Sequence, residues 1–332
     1  MSFHRIITNR SRSIWPARLG MAITAVTLGV SASAAPALAA NGPTIPDASG
    51  NYSFAKLNNP ADPTFNQVLG INGSGLIAGY YGSGMAGHPN KGYVIPNDGH
   101  GSYQTENFPG AAQTQVIGLN NGGVTVGFWA DNVGANHGFY TTAGHQFQTA
   151  DYPNNGDPAK PVVDQLLGVN DQGTAVGFYN DSKGNAHGYS YNIPSHHYSK
   201  ITLPGATSLT ASGVNNQSDI AGFETNPAGK VVGFLALNNG KVITLSVPGA
   251  SMTQAFGVND GDVVAGAYAL GTGKNAKSYG FIWAPGFGFR TVSDPSGVGA
   301  TTINGINNHG RLVGFYTDSA GNTDGFLGTP QG

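Results

Sequence analysis

The sequence predicts an all-β fold: a six-bladed β-propeller with four antiparallel strands per blade, its ring closed by an N-terminal strand that joins the last blade. Three observations predict it. A Gly-aliphatic-Asn element recurs at Gly70-Ile71-Asn72, Gly118-Leu119-Asn120, Gly168-Val169-Asn170, Gly213-Val214-Asn215, Gly257-Val258-Asn259 and Gly305-Ile306-Asn307. A second glycine follows nine residues later in every copy (Gly79, Gly127, Gly177, Gly222, Gly266, Gly314). A third opens a Gly-aromatic pair at Gly92-Tyr93, Gly138-Phe139, Gly188-Tyr189, Gly233-Phe234, Gly280-Phe281 and Gly325-Phe326. The spacing of the first marker, 44 to 50 residues, is the period of propeller blades.

Each unit resolves into strands a to d. In the third unit, strand a covers residues 164–170, and the turn Asn170-Asp171-Gln172-Gly173 carries residues that accept positive φ. Strand b follows as Thr174-Ala175-Val176-Gly177-Phe178, then a turn at 181–185, then strand c at Gly188-Tyr189. Strand d runs from Tyr198 to Leu203 and stops at Pro204, because proline cannot donate to a ladder. An aromatic or aliphatic residue stands six positions before that proline in five units: Tyr103, Phe147, Tyr198, Val242 and Phe289. The sixth unit ends after strand c, and its missing strand d is supplied by Phe54, six residues before Pro60. Residues 52–57 therefore close the ring and remove an exposed edge. The propeller spans 52–328, with blades at about 65–108, 113–152, 164–203, 208–247, 252–294 and 300–328.

Residues 1–39 read as a cleaved secretory signal peptide: Arg5, Arg10, Arg12 and Arg18 precede an apolar run over 19–30 and a small-residue tract ending Ala37-Leu38-Ala39. Residues 40–51 form a short linker. The mature chain, placed outside the cell or in the periplasm and without a membrane span, keeps 11 basic against 17 acidic residues, net −6, with Arg290 and Arg311 its only arginines. Such a charge excludes a nucleic-acid binder. With no cysteine, it has no disulfide and no thiolate chemistry.

The repeat resembles the bacterial extracellular family known as HAF, over about residues 52–328. The His/Gly-aromatic element of that family reads here His137-Gly138-Phe139 and His187-Gly188-Tyr189, while Lys91, Val232, Tyr279 and Asp324 take the histidine position elsewhere. The resemblance implies a secreted repeat protein and supplies no catalytic residues.

Propellers bind ligands on the face bearing the d-to-a crossings and b-to-c loops, which selects candidates. Gln67, Gln115, Gln165, Thr210, Gln254 and Thr302 stand three residues before the first marker glycine. They suit either a hydroxyl-rich ligand at the channel mouth or backbone groups between blades. His137 and His187 open strand c in adjacent blades and complete the ligand-binding set; neither shows a carboxylate partner at metal or acid–base spacing. The marker asparagines read as turn caps, and Asp131, Asp181 and Asp318 as first residues of hairpin turns rather than a calcium loop. With Glu106 and Glu224 its only glutamates, the chain offers no glycosidase carboxylate pair, and no nucleophile elbow is present. No metal or cofactor is called for. The expected function is a binding or scaffold propeller presenting its loop face and channel mouth to an extracellular glycan or protein. The alternative is a polysaccharide lyase or hydrolase with His137 or His187 as base, its site marked by departures from the repeat at 85–90, His100 and 274–279.

Overall fold

The computed structural model describes residues 45–331 apart from 97, 143 and 154–162. The signal-peptide reading therefore lies outside the described residues. The fold is a six-bladed β-propeller, each blade a four-stranded antiparallel sheet. Blade one holds β2 (Asn66–Ile71), β3 (Ile77–Tyr81), β4 (Lys91–Ile95) and β5 (Gln104–Thr105). Blade two holds β6 (Gln113–Leu119), β7 (Thr125–Ala130), β8 (Asn136–Thr141) and β9 (Phe147–Thr149). Blade three holds β10 (Asp164–Val169), β11 (Thr174–Asn180), β12 (Ala186–Asn192) and β13 (His197–Lys200). Blade four holds β14 (Ser208–Val214), β15 (Ile220–Thr225), β16 (Val231–Ala236) and β17 (Val242–Leu245). Blade five holds β18 (Met252–Val258), β19 (Val264–Leu270), β20 (Lys277–Ala284) and β21 (Gly288–Thr291). Blade six combines β22 (Thr301–Ile306), β23 (Leu312–Thr317) and β24 (Thr323–Pro330) with β1 (Tyr52–Lys56).

The repeated glycines mark close backbone approaches. A Cβ on any of the six first-marker glycines would stand 2.6–2.9 Å from a carbonyl oxygen of the following blade; for Gly305 that carbonyl belongs to Leu69, across the closure. A Cβ on each second glycine would overlap the carbonyl of the residue three before the first marker in its own blade, as Gly177 would with Gln165. That carbonyl intrudes because every innermost strand carries a bulge just before the first marker, for instance between Leu166 and Gly168.

The marker asparagines cap their turns as expected: Asn170 Oδ1 accepts the Thr174 N–H at 2.9 Å. Their amide nitrogens do something the turn alone does not require. Each Nδ2 donates to the backbone carbonyl of the equivalent asparagine one blade on: Asn72 to Asn120, then to Asn170, Asn215, Asn259, Asn307 and back to Asn72, at 3.0–3.2 Å. Six side chains thus form a closed hydrogen-bonded belt around one end of the channel, where the innermost strands leave a cavity of about 80 Å³. A second tier lies outside it, with Asp171 and Asp260 receiving amide groups of Asn121, Asn216 and Asn308.

The ring closes as the chain ends predict. β1 pairs with β24 from Tyr52↔Pro330 to Lys56↔Phe326, and Phe54 meets Phe326 edge to face at 5.6 Å. Lys56 Nζ lies 2.7 Å from buried Asp324, and Arg311 of blade six pairs with Asp98 of blade one. The 40–51 stretch is described from Ile45 onward. Asp47 bridges Thr291 in parallel, and the Ala48 N–H donates to the Thr291 carbonyl at 2.8 Å, covering the outer edge of blade five. Among the described residues, no helix is long and apolar enough to cross a membrane.

Candidate functional site

On the loop face, blades two and three build the same local unit. The next-to-last residue of strand b in each is aromatic and stands directly opposite the histidine at the second position of strand c: Trp129↔His137 and Tyr179↔His187. The d-to-a crossing adds a third ring. Phe108, Trp129 and His137 stack with successive centroids 4.5 Å and 4.5 Å apart; Tyr152, Tyr179 and His187 stack at 4.6 Å and 5.1 Å. Tyr152 is held by its backbone, whose N–H donates to buried Asp164 at 2.7 Å. The Tyr189 hydroxyl also donates to Asp164 at 2.5 Å, and burial together with that carboxylate pushes the phenol well above its ordinary range.

The histidines have carboxylate partners that linear spacing concealed. His137 Nδ1 meets Asp151 Oδ2 at 2.6 Å, and its Nε2 stands 3.8 Å from Asp131 Oδ2. His187 Nε2 meets Asp181 Oδ2 at 3.0 Å. These contacts correct the expectation that neither histidine has a carboxylate partner. Asp151 comes from the d-to-a crossing, fourteen residues along the chain. Asp131 and Asp181 stand six residues before their histidines in both blades, a repeated interval that could have flagged them. The hydrogen bond to Asp151 raises His137, burial opposes it, and the charges of Asp151 and Asp131 add to the rise. Burial works to raise Asp181, but hydrogen bonds from His187, Asn185 and the backbone outweigh it and hold the carboxyl well below its ordinary range.

Asp131, Asp181 and Asp318 serve their turns as read. Asp181 Oδ1 accepts the N–H groups of Lys183 and Asn185 at 2.9 Å, and the other two repeat the pattern. That leaves Oδ2 of Asp131 and Asp181 facing the histidines. Among the described residues no group of three or more His, Asp or Glu could hold a metal ion.

The Gln/Thr positions lie on the innermost strands. Gln67, Gln115, Gln165, Thr210 and Gln254 are buried, and Thr302 is half-buried. Gln115 Nε2 donates to Asn90 of blade one at 2.8 Å, Gln165 reaches Asn136 of blade two at 3.3 Å, and Gln67 accepts from Tyr80. These three side chains bond within and between blades, and Asn136 is the neighbour of His137 along strand c. By contrast, His187 keeps 36% of its side chain exposed and His137 20%, with Asp131, Asp151 and Asp181 at 30% each. The sector offers ring edges beside hydrogen-bond donors and acceptors.

No protein-family model and no curated protein matches the chain. Solved structures with a similar course include a gluconolactonase from Xanthomonas campestris (14% identity, covering 90% of this chain and 99% of that one, TM-score 0.49). Another is the fucose-recognising lectin of Aleuria aurantia, itself a six-bladed β-propeller (10%, 85% and 97%, TM-score 0.46). A third is TolB from Acinetobacter baumannii (12%, TM-score 0.48); the match covers 78% of this chain and 65% of that one.

Proposed function

We propose that the protein is an exported binding propeller that takes an extracellular glycan on the loop face of blades two and three. The observation that carries this reading is the pair of aromatic–histidine stacks, each bordered by part-exposed carboxylates. Sugars present C–H faces that pack on rings and hydroxyl groups that bond to carboxylates and imidazoles, and this sector offers both in alternation. The Gln/Thr ring is set aside, because five of its six side chains are buried and Gln67, Gln115 and Gln165 bond to Tyr80, Asn90 and Asn136. The test is retention on a panel of immobilised polysaccharides. His137→Ala/His187→Ala is expected to lose affinity about tenfold or more while melting within a few degrees of the parent. Undiminished retention by that folded variant would refute the assignment to this sector.

A second reading is favoured by one feature, the His137–Asp151 pair with Asp131 on the far ring nitrogen. Carboxylates on both sides favour the imidazolium, which suits a proton donor to a leaving oxygen better than a base. Release of new reducing ends or unsaturated products by the parent, lost in His137→Ala, would establish turnover in place of simple binding.

A further inference from the structure

Blade six differs from the other five in having no c-to-d turn. Its third strand reaches Pro330 while its outer strand begins at Tyr52, the two held by their pairing and by a Gln331 N–H to Asn51 carbonyl bond of 2.7 Å. Between that edge and the c-to-d turn of blade five lies a groove of about 670 Å³, within the size range of small-molecule sites. Its walls are mostly apolar, including Tyr52, Val263, Ile282, Ile306 and Pro330.

Two side chains on this groove bear on what it could hold. Phe287 is 76% exposed at the tip of the blade-five turn, held there between Gly286 and Gly288, whose φ angles are 76° and 70°. Its ring adds an exposed apolar face to the rim of the apolar groove. Arg290 also lines the groove. Its Nη1 donates to the Phe287 and Phe289 carbonyls at 2.9 Å each, and among the described residues no carboxylate stands within ion-pair distance. Arg311, by comparison, is neutralised by Asp98. A guanidinium carries five donors in a planar fork matched to a carboxylate, so Arg290 has donors beyond those its two carbonyls use.

We propose that this groove binds a small amphiphilic carboxylate, its apolar body against Tyr52, Ile282 and Phe287 and its carboxylate on Arg290. The unpaired guanidinium selects the anionic head, and the apolar walls select the tail. The site lies at the far ends of strands c and d, away from the loop face, and is independent of glycan binding there.

Calorimetric titration of the whole protein with decanoate, below its micellar concentration, tests this. Decanoate is expected to bind saturably, with decanol and decyltrimethylammonium weaker by about tenfold or more, the scale of one hydrogen-bonded charge pair. Arg290→Gln should bring decanoate down to the level of decanol, Arg290→Lys should keep part of the preference, and Phe287→Ser should weaken decanoate and decanol alike. Phe287 is a surface residue, so its variant keeps the test open should Arg290→Gln fold poorly. Absence of saturable decanoate binding, equal affinity for decanol, or binding indifferent to Phe287→Ser would each overturn the proposal. His137→Ala/His187→Ala should leave decanoate binding unchanged, which separates this site from the loop face.

Discussion

The two ends of the propeller follow different rules. At the a-to-b turns, six asparagines make the same two kinds of bond, a cap within the blade and a rung to the next, and the ring has no gap. At the loop face the corresponding positions vary from blade to blade. The residue before the third glycine is His137 in blade two, His187 in blade three and Asp324 in blade six. Two residues before the closing proline, Asn107, Asp151 and Asn58 each accept the N–H of that glycine, in blades one, two and six. Only the carboxylate of blade two turns its second oxygen to a histidine, and only Asn58 turns its amide to an aspartate. The lesson is that sixfold-repeated side chains hold blades together, whereas function is to be sought where one structural job is done by residues of different chemistry.

This contrast can be broken at several strengths. The largest effect is expected in the regular part. Gly177→Ala would drive a methyl group into the Gln165 carbonyl and should cost about 3 kcal/mol, read by chemical denaturation. Gly184→Ala, in a loop with nothing within 4 Å but a φ of 87°, should cost about 1 kcal/mol. Equal losses at the two glycines would contradict the close-approach account.

The belt comes next. Asn170→Ala removes both the cap on Thr174 and the rung to Asn215 and should cost about 2 kcal/mol. Asn170→Ser keeps a capping oxygen without an amide to reach Asn215, so a cost of about 1 kcal/mol is expected. If the two variants melt together, the belt contributes nothing beyond the turns.

The smallest and most diagnostic effect belongs to the loop face. Asp151→Asn retains the acceptor for Gly138, as Asn107 and Asn58 do for their glycines, and should leave the fold intact. It should return His137 toward the ordinary histidine value of about 6.5, measured by its imidazole NMR signals against pH. The sign follows from the raised folded value. The pairing contributes fully below about pH 6.5 and is lost as pH rises through the folded pKa, so the parent should be the more stable at pH 6 by less than about 1 kcal/mol, and that margin should shrink as pH rises through the folded pKa. Glu106, raised by burial and bonded to Thr125, adds a loss of the same sign as pH rises through its own folded value. Asp181 acts oppositely, its contribution lost as pH falls below the ordinary carboxylate range. A His137 titration unmoved by Asp151→Asn would remove the pair as the cause.

Much of this was legible in one dimension. The first two glycines of each unit are visible because a Cβ there would collide with a backbone carbonyl in all six blades, and the third meets a carbonyl in four of them, at Gly92, Gly138, Gly280 and Gly325. Phe54 and Pro60 disclosed the closing strand because strand d carries its own spacing. The site was read only in outline. His137 and His187 stood out by position, but Asp151 lies on another connection and reaches His137 only once strand d has folded back along strand c. The Gln/Thr ring was placed correctly on the innermost strands, yet its burial depends on how far neighbouring blades close over it.

The sequence by itself determined the number of blades, their strand order and the strand that closes the ring, since periodic steric demands are written locally and repeat with the chain. Tertiary structure alone decided which polar groups meet: the asparagine rungs between blades, the carboxylates on the two histidines and the groove left where blade six lacks a turn. Those contacts join residues far apart in sequence, and their geometry exists only after the blades have packed into a ring.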